Sequence, residues 1–140
     1  MLFKQLDKYR DVGLLMLRLG IGFMFVLHGY PKLAGGPEKW TALGGAMSSF
    51  GITFVPAFWG FMAACAEFFG GLLLMAGLLT RISGGLLLIT MLVAAVKHIA
   101  AGDGLPGYSH AVEAGILFLS LIFIGPGIYS LDELLDKSKR

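Results

Sequence analysis

The chain has 140 residues, of which 56% are hydrophobic and only 14% are charged, and its mean hydropathy is +0.79. Soluble domains carry about 25% charged residues, and a soluble chain this short has too little interior to bury so much apolar surface. The composition therefore excludes an ordinary soluble domain and indicates a protein dissolved in lipid. A net charge of +2, without a basic stripe interleaved with aromatic residues, gives no support for binding nucleic acid.

Four apolar stretches are long enough for the roughly 20 helical residues that cross a hydrocarbon core. We expect these spans near residues 12–30, 55–79, 82–101 and 109–126. The connections are short: Thr80–Arg81 between the second and third spans, and a Gly/Pro-rich turn at 102–108 before the fourth. Backbone polar groups in lipid must be satisfied within helices or closed barrels. The sequence therefore predicts an all-α integral membrane protein, an up-down four-transmembrane-helix bundle that forms a single domain over residues 1–140.

Two shorter helices are predicted outside the spans. Trp40, Leu43, Met47 and Phe50 recur at steps of three and four, which predicts an amphipathic helix at about 38–50. We expect a short interfacial helix that lies on the membrane surface, where Trp suits the headgroup region, and that can also cap the end of the bundle; an ordinary amphipathic connector is the alternative. At the other end of the chain, the residues 130–133 (Ser-Leu-Asp-Glu) form a capping-box pattern that predicts a short C-terminal surface helix.

The distribution of basic residues predicts the orientation in the membrane. Seven lie on one side of the predicted spans: Lys4, Lys8, Arg10, Arg81, Lys137, Lys139 and Arg140. Only Lys32 and Lys39 lie on the other side. The positive-inside rule then places both termini in the cytoplasm and the Trp40 helix outside. Because no A-x-A-like cleavage site follows the first span, we expect this span to be retained.

Ionisable side chains inside the spans are the strongest functional signal. They are Arg18, Glu67, Lys97, His98 and Glu113, with His28 and His110 near span ends. A charge at the centre of a bilayer costs about 2.5–3.5 kcal/mol on insertion scales, so such residues need partners. Small residues dominate the helix face of Glu67, which predicts that this face looks into the bundle. Counting about 1.5 Å per residue leaves an axial gap of about 8–9 Å between Arg18 and Glu67, which two extended side chains can largely close. An ion pair between them is therefore geometrically plausible, and a lipid phosphate is the alternative partner of Arg18.

A second cluster is predicted at the outer end of the bundle, where His28, Lys97, His98, His110 and Glu113 reach similar depths. It is either a polar mouth in which Lys97 neutralises Glu113, or a ligand site or proton relay. A metal site is not predicted, because the order His110-x-x-Glu113 reverses the Glu-x-x-His order of di-iron bundles and occurs once.

A set of motifs runs through the chain in a fixed order over about residues 14–134: Arg18-x-x-x-Gly22, His28-Gly29 with Lys32, Glu67-x-x-Gly70-Gly71, Gly77-Leu78-Leu79-Thr80-Arg81, His98, Glu113 and Gly125-Pro126-Gly127 through Asp132. Together these motifs resemble the DoxX family of bacterial inner-membrane proteins. It implies a four-helix domain in the inner membrane, related to the membrane subunits of thiosulfate:quinone oxidoreductase, and hence quinone chemistry or redox assembly. Distant relatives work with paired cysteines, whereas this chain has Cys65 alone, which argues against a thiol relay.

Three functions remain open at this point. The first is a quinone-linked redox subunit, in which Glu67, His98 and Glu113 act as catalytic groups and Arg18, His28, Lys97 and His110 bind the ligand. Because no haem, flavin or iron–sulfur motif is present, such a subunit needs a soluble or membrane redox partner, and whether the chain is itself an enzyme stays open. The second is a non-catalytic scaffold or assembly partner. The third is a small-molecule or proton carrier, which a homo-oligomer would favour because four helices are few for alternating access.

Overall fold

The computed structural model describes residues 4–139, and every regular element in that range is helical. The helices in chain order are α1 (Arg10–Leu33), α2 (Gly36–Gly44), α3 (Pro56–Ala76), α4 (Thr80–Ala101), α5 (Gly104–Ile124) and α6 (Leu131–Lys137). Two 3₁₀ segments, Lys4–Tyr9 and Gly45–Phe50, precede α1 and follow α2. Within the described residues, α1, α3, α4 and α5 are long and apolar enough to cross a membrane. The predicted all-α architecture with four spans and two short helices is confirmed.

The first span is longer than predicted. Proline usually ends a helix because it lacks the N–H donor, yet α1 continues through Pro31 to Leu33. The last turn is held by two contacts at Lys32: its ammonium pairs with Glu67, and its carbonyl accepts a hydrogen bond from the Trp40 indole at 3.0 Å. These contacts place Lys32 inside the bundle instead of at the outer surface.

The two predicted connections also differ in the structure. α5 begins at Gly104, five residues earlier than predicted. Gly104 adopts a positive φ of 68°, and Pro106 lies in the first turn, where backbone N–H groups have no partner within the helix and a proline therefore costs no hydrogen bond. The predicted turn at 102–108 is therefore reduced to Gly102 and Asp103. The connection between α3 and α4 is 77–79 and not Thr80–Arg81, since Thr80 already begins α4.

Glycines set the register between α1 and α3. A Cβ added at Gly22 would lie 2.7 Å from the carbonyl oxygen of Gly71, and one added at Gly29 would lie 2.5 Å from the backbone nitrogen of Phe68. Both distances are too short for a side chain, so the two backbones touch at these levels. This register puts Glu67 beside the last turns of α1.

The apolar core lies where α1 and α3 meet α4 and α5. Phe25 of α1 packs edge-to-face against Phe118 of α5 with ring centroids 4.9 Å apart, and Leu74 and Leu87 are fully buried beside them. The opposite faces of the long helices carry exposed large apolar side chains, such as Phe123. A helix that is apolar on its outer face is suited to contact with lipid.

The short helix α2 is docked tightly on α3. A Cβ at Gly44 would overlap the backbone carbonyl of Pro56, and a Cβ at Gly60 would overlap that of Trp40. The Trp40 ring also packs against Phe61 with centroids 4.8 Å apart. Of the interpretations left open by the sequence, this packing favours a cap on the bundle over a helix that merely lies on the membrane.

Candidate functional site

An ion pair between α1 and α3 lies at the centre of the candidate site. The Lys32 ammonium donates to both Glu67 carboxylate oxygens, at 2.8 Å to Oε1 and 2.6 Å to Oε2. The side chain of Glu67 is 5% exposed and that of Lys32 is 30% exposed. The partner of Glu67 is therefore Lys32 and not Arg18, and the pair is accessible from the Lys32 side.

A cavity of about 200 Å³ adjoins this ion pair and contains all three histidines of the chain. We call it the histidine chamber; it is lined by Phe25, His28, Lys32, Glu67, Met91, Ala94, His98, Gly107, His110 and Ala111. The rings of His28 and His110 have centroids 6.0 Å apart. The chamber thus brings together four of the sequence-predicted site residues, from four different helices. Among residues 4–139, no three His, Cys, Asp or Glu side chains group closely enough to hold a metal ion.

A larger cavity of about 610 Å³ lies on the other side of the ion pair, and we call it the apolar groove. Its walls come from the end of α1, from α2, the following 3₁₀ segment, α3 and α4: Lys32, Leu43, Gly44, Ala46, Met47, Trp59, Met62, Ala63, Cys65, Ala66, Glu67, Phe69, Gly70, Leu73, Leu86, Ile89, Thr90, Val93, Ala94, Lys97 and His98. Four residues line both cavities: Lys32, Glu67, Ala94 and His98. Three of these are ionisable, so the polar groups are concentrated where the chamber meets the groove.

His98 is held by a carboxylate that the sequence analysis did not single out. Its Nδ1 lies 2.6 Å from Oδ2 of Asp103, while the Asp103 backbone N–H donates to the His98 carbonyl at 3.1 Å. The second bond is the 6→1 bond of a Schellman motif, made possible by Gly102 in the left-handed conformation with φ 74°. Gly107 leaves the space that Asp103 fills, because a Cβ there would collide with Cβ of Asp103.

Arg18 lies at the opposite end of the bundle, away from both cavities. Its guanidinium, on a residue that is 1% exposed, donates to the carbonyl of Tyr129 in the segment between α5 and α6. It also lies against Gly77, where any side chain would overlap it. The α1–α3 register puts Arg18 about eleven residues, or roughly 16 Å, below the level of Glu67. The predicted Arg18–Glu67 ion pair is therefore wrong, and Arg18 fixes the C-terminal segment instead.

The two remaining predicted site residues, Lys97 and Glu113, lie in different places. Lys97 lines the apolar groove, next to His98 on α4. Glu113 is exposed on α5 and belongs to the lining of neither cavity. The polar mouth in which Lys97 neutralises Glu113 is not what the structure shows, because the helix rotation that turns Ala111 and Ala114 inward turns Glu113 outward.

Sequence reasoning overlooked Lys32 and Asp103 as site residues. A signal existed for each of them. Lys32 follows His28 by four residues and so shares its helix face, and Asp103 directly follows the Gly102 that ends α4. Both residues lie outside the predicted spans. Lys32 therefore contributed only to the predicted orientation and to the family resemblance, and Asp103 received no role.

Comparison with known proteins identifies the family. The model of the DoxX family matches residues 13–99. The chain is 29% identical over 137 residues to "Putative oxidoreductase CatD" of Bacillus subtilis, with 96% of each chain covered. It is 31% identical over 137 residues to the inner membrane protein YqjF of Escherichia coli, covering 94% of this chain and 98% of YqjF. An uncharacterized protein of Haemophilus influenzae is 32% identical over 133 residues, covering 91% of this chain and 93% of the relative. No solved structure matches. The chain is a multi-pass membrane protein and belongs to the DoxX family.

Proposed function

We propose that this protein is a membrane subunit or accessory of a quinone-linked redox system in the bacterial inner membrane. The observation that carries the proposal is the position of the Lys32–Glu67 pair and His98 at the junction of the histidine chamber and the apolar groove. A quinone has the same two-part chemistry, with a polar ring that takes up protons and an apolar tail. The name of CatD as an oxidoreductase and the inner-membrane location of YqjF agree with this proposal.

The residues present fit a quinone headgroup. The Lys32 ammonium is a donor for a ring carbonyl, and Glu67 and His98 are groups that exchange protons near it. His28 and His110 surround the ring side in the histidine chamber, while Lys97 lies on the groove side. A bound quinone would supply two-electron, two-proton redox chemistry at this site.

The predicted roles are accordingly revised in the proposal. Glu67 and His98 remain the proton-exchanging groups, and Lys32 joins them as the headgroup ligand. Arg18 and Glu113 are left out of the binding site, because neither of them lines a cavity. Quinone reduction also needs an electron donor, which we propose to be a soluble or membrane-bound partner protein.

Quinone binding can be measured through Trp59, which lines the apolar groove. Quinones quench indole fluorescence at short range, so titration of the purified protein with a decyl-substituted benzoquinone should quench Trp59. Trp59→Phe and Trp40→Phe should each lose part of this signal, since Trp59 lines the groove and the Trp40 indole donates to the carbonyl of Lys32, the proposed headgroup ligand. Saturable quenching by the quinone, with none by decane of equal concentration, is the expected result.

A double variant tests the ion pair by removing both of its charges at once. Removing Lys32 alone would leave the Glu67 carboxylate buried without a partner, which costs about 3–5 kcal/mol of stability and can prevent folding. The double variant Lys32→Met/Glu67→Gln avoids this cost and should raise the Kd for the quinone at least about tenfold, since a charge-assisted hydrogen bond contributes about 1.5–3 kcal/mol. Lys39→Met, which removes an exposed lysine on α2, is the control. An unchanged Kd in the folded double variant would refute the site.

A further inference from the structure

The Asp103 side chain is bonded to His98 and not to the helix that follows it. Asp103 is the residue before α5, and its side chain accepts no hydrogen bond from the first turn of that helix. Its carboxylate instead contacts His98 Nδ1 at 2.6 Å. A capping aspartate typically has β-region backbone angles, whereas Asp103 is αR with φ −68° and ψ −5°, so its carboxylate is available to His98.

The His98–Asp103 pair also lies at a boundary. The side chains of His98 and Asp103 are 38% and 44% exposed, yet His98 lines both the histidine chamber and the apolar groove. The imidazole is therefore exposed both on the outside of the bundle, one turn from the end of α4, and to whatever occupies the cavities. No other ionisable residue that lines both cavities has this arrangement, since Lys32 and Glu67 are bonded to each other.

We propose that His98, positioned by Asp103, is the residue that exchanges protons between the Lys32–Glu67 ligand site and water at this end of the bundle. The proposal rests on the proposed function. In the neutral imidazole, the Asp103 carboxylate accepts Nδ1–H, and this fixes the tautomer in which Nε2 is the basic nitrogen. Protonated His98 can then donate Nε2–H to a group in the cavities and regain a proton from water.

The charge environment is defined by four helices. His28 and Lys32 come from α1, Glu67 from α3 and His110 from α5, all in the lining of the histidine chamber. On α4 itself, Lys97 adjoins His98 and lines the groove. Among the three ionisable residues that line both cavities, Lys32 and Glu67 are bonded to each other, whereas His98 keeps Nε2 for proton transfer.

The proton balance for a quinone is simple. Reduction adds two electrons and two protons, one proton to each carbonyl oxygen, and gives the hydroquinone. The electrons come from the redox partner, or in the experiment from a photoreduced flavin in solution. His98 supplies the first proton from Nε2 and is left as the neutral imidazole with Nδ1–H bonded to Asp103. It then regains a proton from water and supplies the second proton in the same way.

The test uses the full-length protein in proteoliposomes with bound decyl-benzoquinone. A flash reduces the flavin and then the quinone, and a pH dye follows proton uptake. We expect His98→Gln to slow proton uptake about 100-fold and Asp103→Asn at least about tenfold, at the lower end of general acid–base effects. Asp103→Glu should restore part of the rate. Glu38→Gln, which removes an exposed carboxylate on α2 at the same end, is the matched control and should match the wild type.

Infrared difference spectroscopy separates a proton-transfer role from a structural one. With isotope-labelled histidine, reduction of the quinone should produce imidazole bands of the Nδ1–H tautomer, which vanish in His98→Gln and change tautomer in Asp103→Asn. If the wild type binds no quinone, both the proposed function and this inference are refuted. If it binds quinone but the label-sensitive bands are absent, or Asp103→Asn keeps the wild-type uptake rate, only the proton-exchange role of His98 is refuted.

Discussion

Asp132 shows how one side chain joins distant parts of this chain. Its carboxylate accepts hydrogen bonds from the backbone N–H groups of Leu79 at 2.7 Å and Thr80 at 2.9 Å, and its own N–H donates to the Gly77 carbonyl at 2.9 Å. Leu79 is the residue before α4, with φ 50° and no cap of its own from a neighbouring side chain. Asp132 from the C-terminal helix therefore caps α4 across more than fifty residues of sequence.

This cap should make stability depend on pH. Burial acts to raise the pKa of Asp132, but the hydrogen bonds from Thr80 and Leu79 and the charge of Arg18 outweigh it, so the pKa lies below its ordinary value of 3.8. A carboxyl group whose pKa is lowered by folding stabilises the fold above its unfolded-state pKa and loses that effect as the pH falls through the folded-state value. We expect Asp132→Asn to lower the Tm at pH 7, and the difference from wild type to shrink below about pH 4.

Thermal unfolding of both proteins in the same detergent at several pH values measures this effect. Asp7→Asn, which removes an exposed carboxylate from the N-terminal 3₁₀ segment, provides the control for a change of net charge alone. A Tm difference between Asp132→Asn and wild type that stays constant from pH 7 to pH 3 would mean that the carboxylate charge does not hold the cap.

At the scale of the helices, α2 is the element that closes the apolar groove. Its docking depends on a backbone contact at Gly44, where a Cβ would overlap the Pro56 carbonyl. The adjacent Gly45 has nothing within 4 Å of an added Cβ and has an ordinary helical φ of −55°. The two neighbouring glycines therefore form a natural pair for testing whether the docking of α2 matters.

We expect Gly44→Ala to displace α2 from α3 and to lower the Tm, because two backbone segments in contact cannot accept a methyl group between them. Overpacking of this kind costs about 1–3 kcal/mol. Gly45→Ala should leave the Tm unchanged or raise it slightly, since alanine favours helix by up to about 1 kcal/mol over glycine. Thermal unfolding monitored by circular dichroism compares them, and equal Tm values for the two variants would contradict the close contact.

The sequence predicts the helices better than it predicts their register. Long apolar runs define four spans without ambiguity, and the Ser130 cap is confirmed, with its hydroxyl accepting from the Glu133 N–H at 3.2 Å. Counting residues from the span ends, however, gives the wrong depth for Glu67 relative to Arg18 and so predicts an ion pair that the structure does not contain. The register is set by the backbone contact of Gly22 with Gly71, a relation between distant residues that local pattern cannot reveal. For the same reason Lys32 was counted as a surface charge.

At the scale of the whole molecule, the two ends of the bundle differ. The end that carries Lys32 contains both cavities and the His98–Asp103 pair. At the opposite end, Arg18 and Asp132, which line neither cavity, tie α6 to the bundle. Which side of the membrane the Lys32 end faces therefore decides where the proposed electron donor and the exchanged protons are located.

The positive-inside rule predicts that the Lys32 end faces outward. The sequence places seven basic residues at the end that carries both termini, against Lys32 and Lys39 at the other end. In the structure Lys32 is paired with Glu67, and Lys39 is exposed on α2. We therefore expect both termini in the cytoplasm and the site open to the outer side.

A single cysteine placed at either end tests this orientation. In a Cys65→Ala background, which removes the native thiol, Lys39→Cys should react with a membrane-impermeant maleimide in right-side-out inner-membrane vesicles. Lys137→Cys should react only after the vesicles are permeabilised, and the Cys65→Ala parent should not react at all. The reverse labelling pattern would place the site on the cytoplasmic side, where a soluble cytoplasmic reductase would reach it and the protons for the quinone would be drawn from the cytoplasm.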